Sequence, residues 1–254
     1  MSAAEGARTS FRVLRPSGDR LVEAVGRLVG SGNGDPGQAR RFIEYARRAE
    51  MSLEQLWSLT DATGRIVATA LVVPGAGRVA MVFATRPATT AEVEPIGSLI
   101  AHASTSAASG NVRLVQALAD PEEGLEVQAF EAGGLTRLAT LRYLERQAPR
   151  KGEFAPPLFE PPLRVVEWSR TRRRDMIRVL EATYLDTLDC PGLCGMRRTE
   201  DILDGHLASG RFVPGLWSLL YEGENPVGVM LLSPSHVGPS VELVYFGLAP
   251  SARG

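Results

Sequence analysis

Two stretches of this 254-residue chain repeat one pattern without a gap. One reads WSLTDATGRIVATALVVP, from Trp57 to Pro74, and the other WSLLYEGENPVGVMLLSP, from Trp217 to Pro234; both the tryptophans and the closing prolines lie 160 residues apart. A duplicated pattern is a strong constraint, because whatever local structure one copy adopts the other is expected to share. Each copy has the signature of a β-hairpin: an apolar strand, a polar turn containing glycine, and a second apolar strand. Thr63-Gly64 sits in the first turn and Glu222-Gly223-Glu224-Asn225-Pro226 in the second.

The correspondence extends on both sides. VAMVFATRP (Val79 to Pro87) parallels ELVYFGLAP (Glu242 to Pro250), two apolar strands closed by a proline that cannot donate to a ladder. This pairing makes Val79 the counterpart of Glu242. Upstream, FRVLRP from Phe11 parallels LRVVEW from Leu163, each an opening strand. Helical periodicity follows in each copy, with Leu21, Val22, Val25, Leu28 and Val29 on one face in the first, and Met176, Ile177, Leu180, Tyr184 and Leu185 in the second. Second helices are predicted around 41–48 and 201–207. The order is strand, helix, helix and three strands, a duplicated domain rather than a solenoid unit of about 20–50 residues. Trp57 and Trp217, opening equivalent strands, are expected in the core.

The first copy continues with a predicted helix (93–104), a strand from Val112, a short helix (127–131), a Gly133-Gly134 break and a last strand from Leu135. Residues 147–162, QAPRKGEFAPPLFEPP, carry five prolines, which block helix and central strand alike and favour a stiff linker. The expected organisation is a domain over 1–148, a Pro-rich linker over 149–162 and a second domain over 163–254 that ends about halfway through the plan. The fold class is α/β (α+β), a mixed central sheet flanked by helices in each copy.

Bulk properties exclude several classes. A formal net charge of -1 leaves no basic footprint for nucleic acid or membrane surfaces. The N-terminus has no apolar signal-peptide core, and no apolar run approaches the ~18 residues that span a bilayer, so a cytoplasmic location is expected. Cys190 and Cys194 are the two cysteines. They suggest no disulfide framework, and His102, His206 and His236 show no ligand spacing, so no metal is expected. His206 is read as facing solvent or filling a helix–strand gap. The run Arg170, Arg172, Arg173 and Arg174 reads as a solvated helix face.

The terminal segment VELVYFGLAPSARG is the most suggestive chemically. The order of elements, with an apolar strand ending at Gly247-Leu248-Ala249-Pro250 and followed by Arg253-Gly254, resembles the GNAT acyltransferase superfamily. Its motif is R/Q-x-x-G-x-G/A at the opening of a helix. Arg253 matches the first motif position and Gly254 the residue after it; the motif glycines are expected beyond residue 254. Such a turn lets backbone N–H groups converge on a pyrophosphate with the helix dipole behind them. The resemblance implies acetyl-CoA as cofactor, held by Phe246, Gly247, Leu248, Arg253 and Gly254, with the pantetheine arm hydrogen-bonding along the strand as an added strand would.

The same resemblance implies Glu242 as the general base for amine acylation, an oxyanion held by backbone N–H near Leu248, and an acceptor site lined by Tyr184, Asp186, Asp189 and Arg197. Those four fall in TYLDTLDCPGLCGMRR, which the first copy lacks. Residue by residue, the bland readings are a solvated strand glutamate and a capped helix end with turn residues. In the first copy Thr90-Ala91 replaces Arg253-Gly254, and Glu92 and Glu94 stand where phosphates would lie. That copy is expected to keep the fold without the site, as in the paired domains of the mycothiol synthase type. The acceptor stays open among amines, aminoglycosides, peptides and thiol-bearing sugars; the rival reading is a non-catalytic acyl-CoA or metabolite-binding regulatory module. An uncovered strand edge suggests association between copies, a homodimer at its simplest.

Overall fold

The computed structural model describes residues 10–30, 35–148, 150, 152–153, 159–235 and 238–253. Contacts divide the chain into two units, Met1–Arg137 and Leu138–Gly254.

The first unit is built on five strands in sequence order: β1 (Arg12–Leu14), β2 (Leu56–Thr60), β3 (Ile66–Pro74), β4 (Val79–Ala84) and β5 (Leu114–Gln116). The first four pair antiparallel and β5 joins β4 in parallel, so the sheet is mixed. Helices α1 (Asp19–Val29) and α2 (Pro36–Arg48) follow β1, and α3 (Thr90–Ala108) and α4 (Gly124–Ala132) come after β4 and β5. The Asp35 carboxylate accepts from the Gly37 N–H at 2.8 Å and Pro36 takes the first helical position, so α2 starts earlier than its apolar stripe suggests. Strand alternation sends Leu56, Ile66 and Leu71 into one core with Ala24 and Val25 of α1. Leu59, Ala70, Val72 and Val82 form the other with Ile96, Leu99, Ile100 and Ala103 of α3. Burying each such leucine or isoleucine contributes about 1.5–3 kcal/mol.

The expected last strand from Leu135 does not form: residues 135–148 have no strand assignment. Tyr143 and Leu144 are 81% and 94% exposed. Alternation alone cannot make a strand; a ladder needs a partner, and among the described residues no strand pairs with 135–148.

The second unit has four strands, β6 (Leu163–Glu167), β7 (Trp217–Glu222), β8 (Asn225–Pro234) and β9 (Val241–Leu248), antiparallel throughout and again in sequence order. Helices α5 (Arg173–Tyr184) and α6 (Thr199–Ala208) lie between β6 and β7 in the chain. Met176, Val179 and Leu180 of α5 and Leu203 of α6 pack on Trp217, Leu219, Val229 and Leu231. The opposite face of this sheet leaves Val165, Met230, Leu243 and Phe246 exposed. Leu185, placed on the α5 stripe from sequence, lies past the helix end and is exposed.

The two hairpins share a detail the sequence could not show. Pairing skips Val67 between Leu59/Ala68 and Thr60/Ile66, and skips Val227 between Leu220/Gly228 and Tyr221/Pro226, so both carry a bulge at the same point. The ungapped alignment, however, is one residue out in the first strand. Leu56 faces Leu71 as Trp217 faces Leu231, so the true counterpart of Trp217 is Leu56. Trp217 is fully buried. Trp57 sits on the other face, half covered, with the Arg15 guanidinium 4.4 Å above its ring and His102 edge-on at 4.4 Å.

Candidate functional site

The two copies part company along β9. Opposite β8, Leu231 pairs with Tyr245 and Leu232 with Leu243, leaving Val244 as an inserted residue. The equivalent pairing of β3 with β4 runs from Ala70↔Ala84 to Pro74↔Ala80 without interruption. An insertion bends a strand and increases its twist. It also reverses the alternation beyond it, so Tyr245 and Gly247, rather than Val244 and Phe246, face α5. The same register revises the counterpart of Glu242. Glu242 faces Ser233 as Met81 faces Val73, so the first copy carries methionine there and Val79 is not the equivalent.

Glu242 is exposed. Its pairing with buried Ser233 puts it on the helix-bearing face of the sheet, the face that Tyr245 and Gly247 share. Gly247 has a packing reason for being glycine. A Cβ there would lie 2.8 Å from Thr183 Cβ, 2.9 Å from its Cγ2 and 3.0 Å from Tyr245 Cε1. The close approach at this residue is made by α5. Its counterpart Thr85, opposite Thr69 as Gly247 is opposite Val229, sends its hydroxyl to the Arg27 carbonyl of α1 at 3.1 Å. Phe246, 61% exposed, and Leu248, partly buried, lie on the bare face.

Arg253 is turned inward. Its Nε donates to the Leu248 carbonyl (3.0 Å), Nη1 to those of Leu185 (2.8 Å) and Asp186 (3.2 Å), and Nη2 to that of Thr183 (2.9 Å). Its main-chain N–H donates to the Pro250 carbonyl at 3.3 Å. Gly254 lies outside the described residues.

Of the four residues expected on the acceptor side, Tyr184 and Arg197 lie near enough to interact electrostatically, while Asp186 and Asp189 are exposed. Tyr184 lies 5.7 Å from Tyr245, ring to ring, and His206 of α6 lies 5.4 Å from Tyr245. The Thr183 and Tyr245 hydroxyls share a hydrogen bond of 2.8 Å. Burial, then the neighbouring Tyr245, raises the Tyr184 phenol above its usual range, and burial raises Tyr245 too. Burial lowers the Arg197 guanidinium. Burial, and then the Arg197 charge, pushes His206 down to about 4. At neutral pH this cluster holds two neutral phenols, a neutral imidazole and the Arg197 cation, with the Asp189 charge acting on both phenols. Tyr245, His206 and Thr183 were not legible as site residues. The available signal for Tyr245 was a polar-tipped aromatic two residues before a glycine on the motif strand. His206 fills the helix–strand gap, one of the two placements expected of it.

Cys190 and Cys194 are free thiols, and burial followed by Asp189 raises the Cys190 thiol. Among the described residues no group of three or more His, Cys, Asp or Glu is arranged to hold a metal ion. No helix is long and apolar enough to cross a membrane.

The start of α3 in the first copy is self-occupied. The Glu92 carboxylate accepts the Ala88 N–H at 2.7 Å, so one donor of the turn is already engaged and a negative charge stands beside it. A cavity of about 250 Å³ next to this turn is lined by the carboxylates of Asp61 and Glu92 as well as by Arg65.

No family model matches the chain, and no curated protein matches it. The structure is similar to solved N-acetyltransferases. A GCN5-related N-acetyltransferase from Sphaerobacter thermophilus aligns over 96% of this chain and 78% of its own, at 15% identity and a TM-score of 0.48. Glucosamine-6-phosphate N-acetyltransferase from Arabidopsis thaliana aligns over 55% of this chain and 99% of its own, at 14% identity and a TM-score of 0.38. A probable acetyltransferase has the same coverage and identity at a TM-score of 0.41.

Proposed function

We propose that the second copy belongs to an acyl-CoA-dependent N-acyltransferase of the GNAT type, transferring an acetyl group to a primary amine of a small molecule or peptide. In this reading residues 1–148 are a copy that keeps the fold without the site, 149–162 link the copies, and 163–254 form the first half of the catalytic domain. Residues following Gly254 complete the phosphate loop. The observation that carries the reading is the inserted Val244: the motif strand bends in the copy whose strand leads to Arg253-Gly254, and runs regular in the copy that has Thr90-Ala91.

The chain's own groups suit the cofactor. β9 is the outer strand of its sheet, so its free edge offers main-chain donors and acceptors to an amide-bearing arm. When bound, acetyl-CoA supplies an activated acyl carbon and a thiolate leaving group. Glu242 takes a proton from the acceptor ammonium, directly or through water, which frees the nitrogen lone pair. Main-chain N–H near Leu248 stabilises the oxyanion. Tyr184 and Arg197 orient the acceptor from α5 and the loop before α6.

The test uses a version of the protein that includes the residues following Gly254. A heat scan with acetyl-CoA is expected to raise its Tm. Glu242→Gln should keep that shift and lower transfer at neutral pH by about 10²–10⁴-fold, the range of general-base contributions. No shift sinks the cofactor assignment. A shift with no transfer in the unaltered protein favours the regulatory-module reading.

A further inference from the structure

We propose that Arg253 is a positioning residue: its side chain fastens the 185–198 segment, which carries the acceptor-side residues, to the end of β9. The role in acceptor binding rests on the acyl-transfer reading; the fastening itself does not. The guanidinium reaches carbonyls from two places at once, Leu248 at the strand end, and Thr183, Leu185 and Asp186 where α5 ends. A helix C-terminus presents unpaired carbonyls at the negative end of its dipole. A planar, permanently charged fork with five donors can bind several of them together, which an ammonium cannot do in the same geometry.

The segment so held needs holding. Asp186 and Cys190 both sit in the left-handed region, at φ 51° and 46°, a backbone state that non-glycine residues adopt only when surrounding structure imposes it. Asp186 supplies one of the four accepting carbonyls. The first copy shows the contrast. There α1 ends at Val29, α2 starts at Pro36, the register that makes Thr85 the counterpart of Gly247 puts Ala91 where Arg253 stands, and the neutral Thr85 hydroxyl donates to the Arg27 carbonyl near the end of α1. The long connection of the second copy carries a four-point tie from one guanidinium. The acceptor wall and the strand end thus move as one body, and phosphate recognition falls to main-chain N–H groups.

Hydrogen exchange of the 254-residue chain tests this, comparing the unaltered protein with R253Q and R253K. In R253Q, exchange over 185–195 is expected to rise by about tenfold or more, with the first unit and β7–β8 unchanged. R253K, which keeps the charge but not the fork, should recover part of the protection. Unchanged loop exchange in R253Q overturns the proposal, and so does an equal rise throughout the second unit. Coenzyme A titration of the same three sequences, in the version that includes the residues following Gly254, separates the roles. A dissociation constant unchanged within about twofold supports positioning, whereas a loss above tenfold with the loop still protected makes Arg253 a phosphate ligand and overturns it. If the unaltered protein carrying the residues after Gly254 binds no coenzyme A, the acyl-CoA reading is what fails, and loop exchange alone decides the fastening.

Discussion

His206 should make the second unit lose stability in mild acid. Its ring lies in α6 against Tyr245, and its Nε2 is buried with no hydrogen-bond partner among the described residues. Protonation would place a second N–H cation in that gap, close to the Arg197 charge. Burial and that charge bring the pKa from 6.5 to about 4. Because the folded value lies below the unfolded one, the unfolded chain binds the proton first as pH falls. Stability is therefore full above about pH 6.5, declines from there to about pH 4, and is flat below as far as this group is concerned. Each tenfold difference in proton affinity between the folded and unfolded chain is worth about 1.4 kcal/mol, so the loss is about 3 kcal/mol at most, with the ring's partial exposure bringing it toward 2. Urea unfolding followed by tryptophan fluorescence at intervals from pH 4 to 8, in the unaltered protein and in His206→Gln, isolates the contribution as a difference in slope. An NMR titration of the imidazole Cε1–H, assigned through the same variant, reads the pKa directly. A His206 pKa at or above 6, with the same pH slope in both proteins, would refute the reasoning.

Gly247→Ala should cost about 1–3 kcal/mol by overpacking against α5, because the new Cβ would meet Thr183 Cβ at 2.8 Å and Cγ2 at 2.9 Å. Urea midpoints measure it, and a change below about 0.5 kcal/mol would show that the helix gives way freely. Deleting Val244 should convert β9 to the regular pairing of β4 while keeping far-UV circular dichroism unchanged. The acetyl-CoA thermal shift of the protein carrying the residues after Gly254 should vanish, and a shift that survives the deletion would separate the bend from cofactor binding.

The duplication made the scaffold legible. Strand order, the hairpins, the helices between them and the polarity of each face follow from apolar spacing repeated at a fixed distance. What the letters conceal is anything set by pairing rather than by pattern. An ungapped match of Trp57 to Trp217 hides a one-residue difference in the turn, because apolar residues flank both tryptophans and either register looks plausible. The inserted Val244 is invisible for the same reason: in VELVYFGL nearly every residue is apolar or aromatic, so reversing the alternation leaves no polar residue out of place. The absent strand at Leu135 is the opposite error, a good pattern that joins no ladder. The sequence shows Arg253 as a motif position, whereas its surroundings are carbonyl oxygens from residues some seventy positions earlier, a proximity that only the fold creates.

The differences between the copies depend on one another. The insertion at Val244 turns Tyr245 and Gly247 toward α5. With no side chain at Gly247, Thr183 comes close enough for its hydroxyl to meet that of Tyr245 at 2.8 Å. The Thr183 carbonyl is in turn one of the oxygens that Arg253 binds. In the first copy β4 is regular, threonine stands at the Gly247 position, and neither the arginine nor the long loop is present. Removing any one member of the set strands the others: a side chain at residue 247 would push Thr183 away, and a regular β9 would point Phe246 at α5 instead of Tyr245. Unrelated drift would scatter its changes over both faces of the sheet. The differences between these copies are gathered on one face, where β9 meets α5, each dependent on the next.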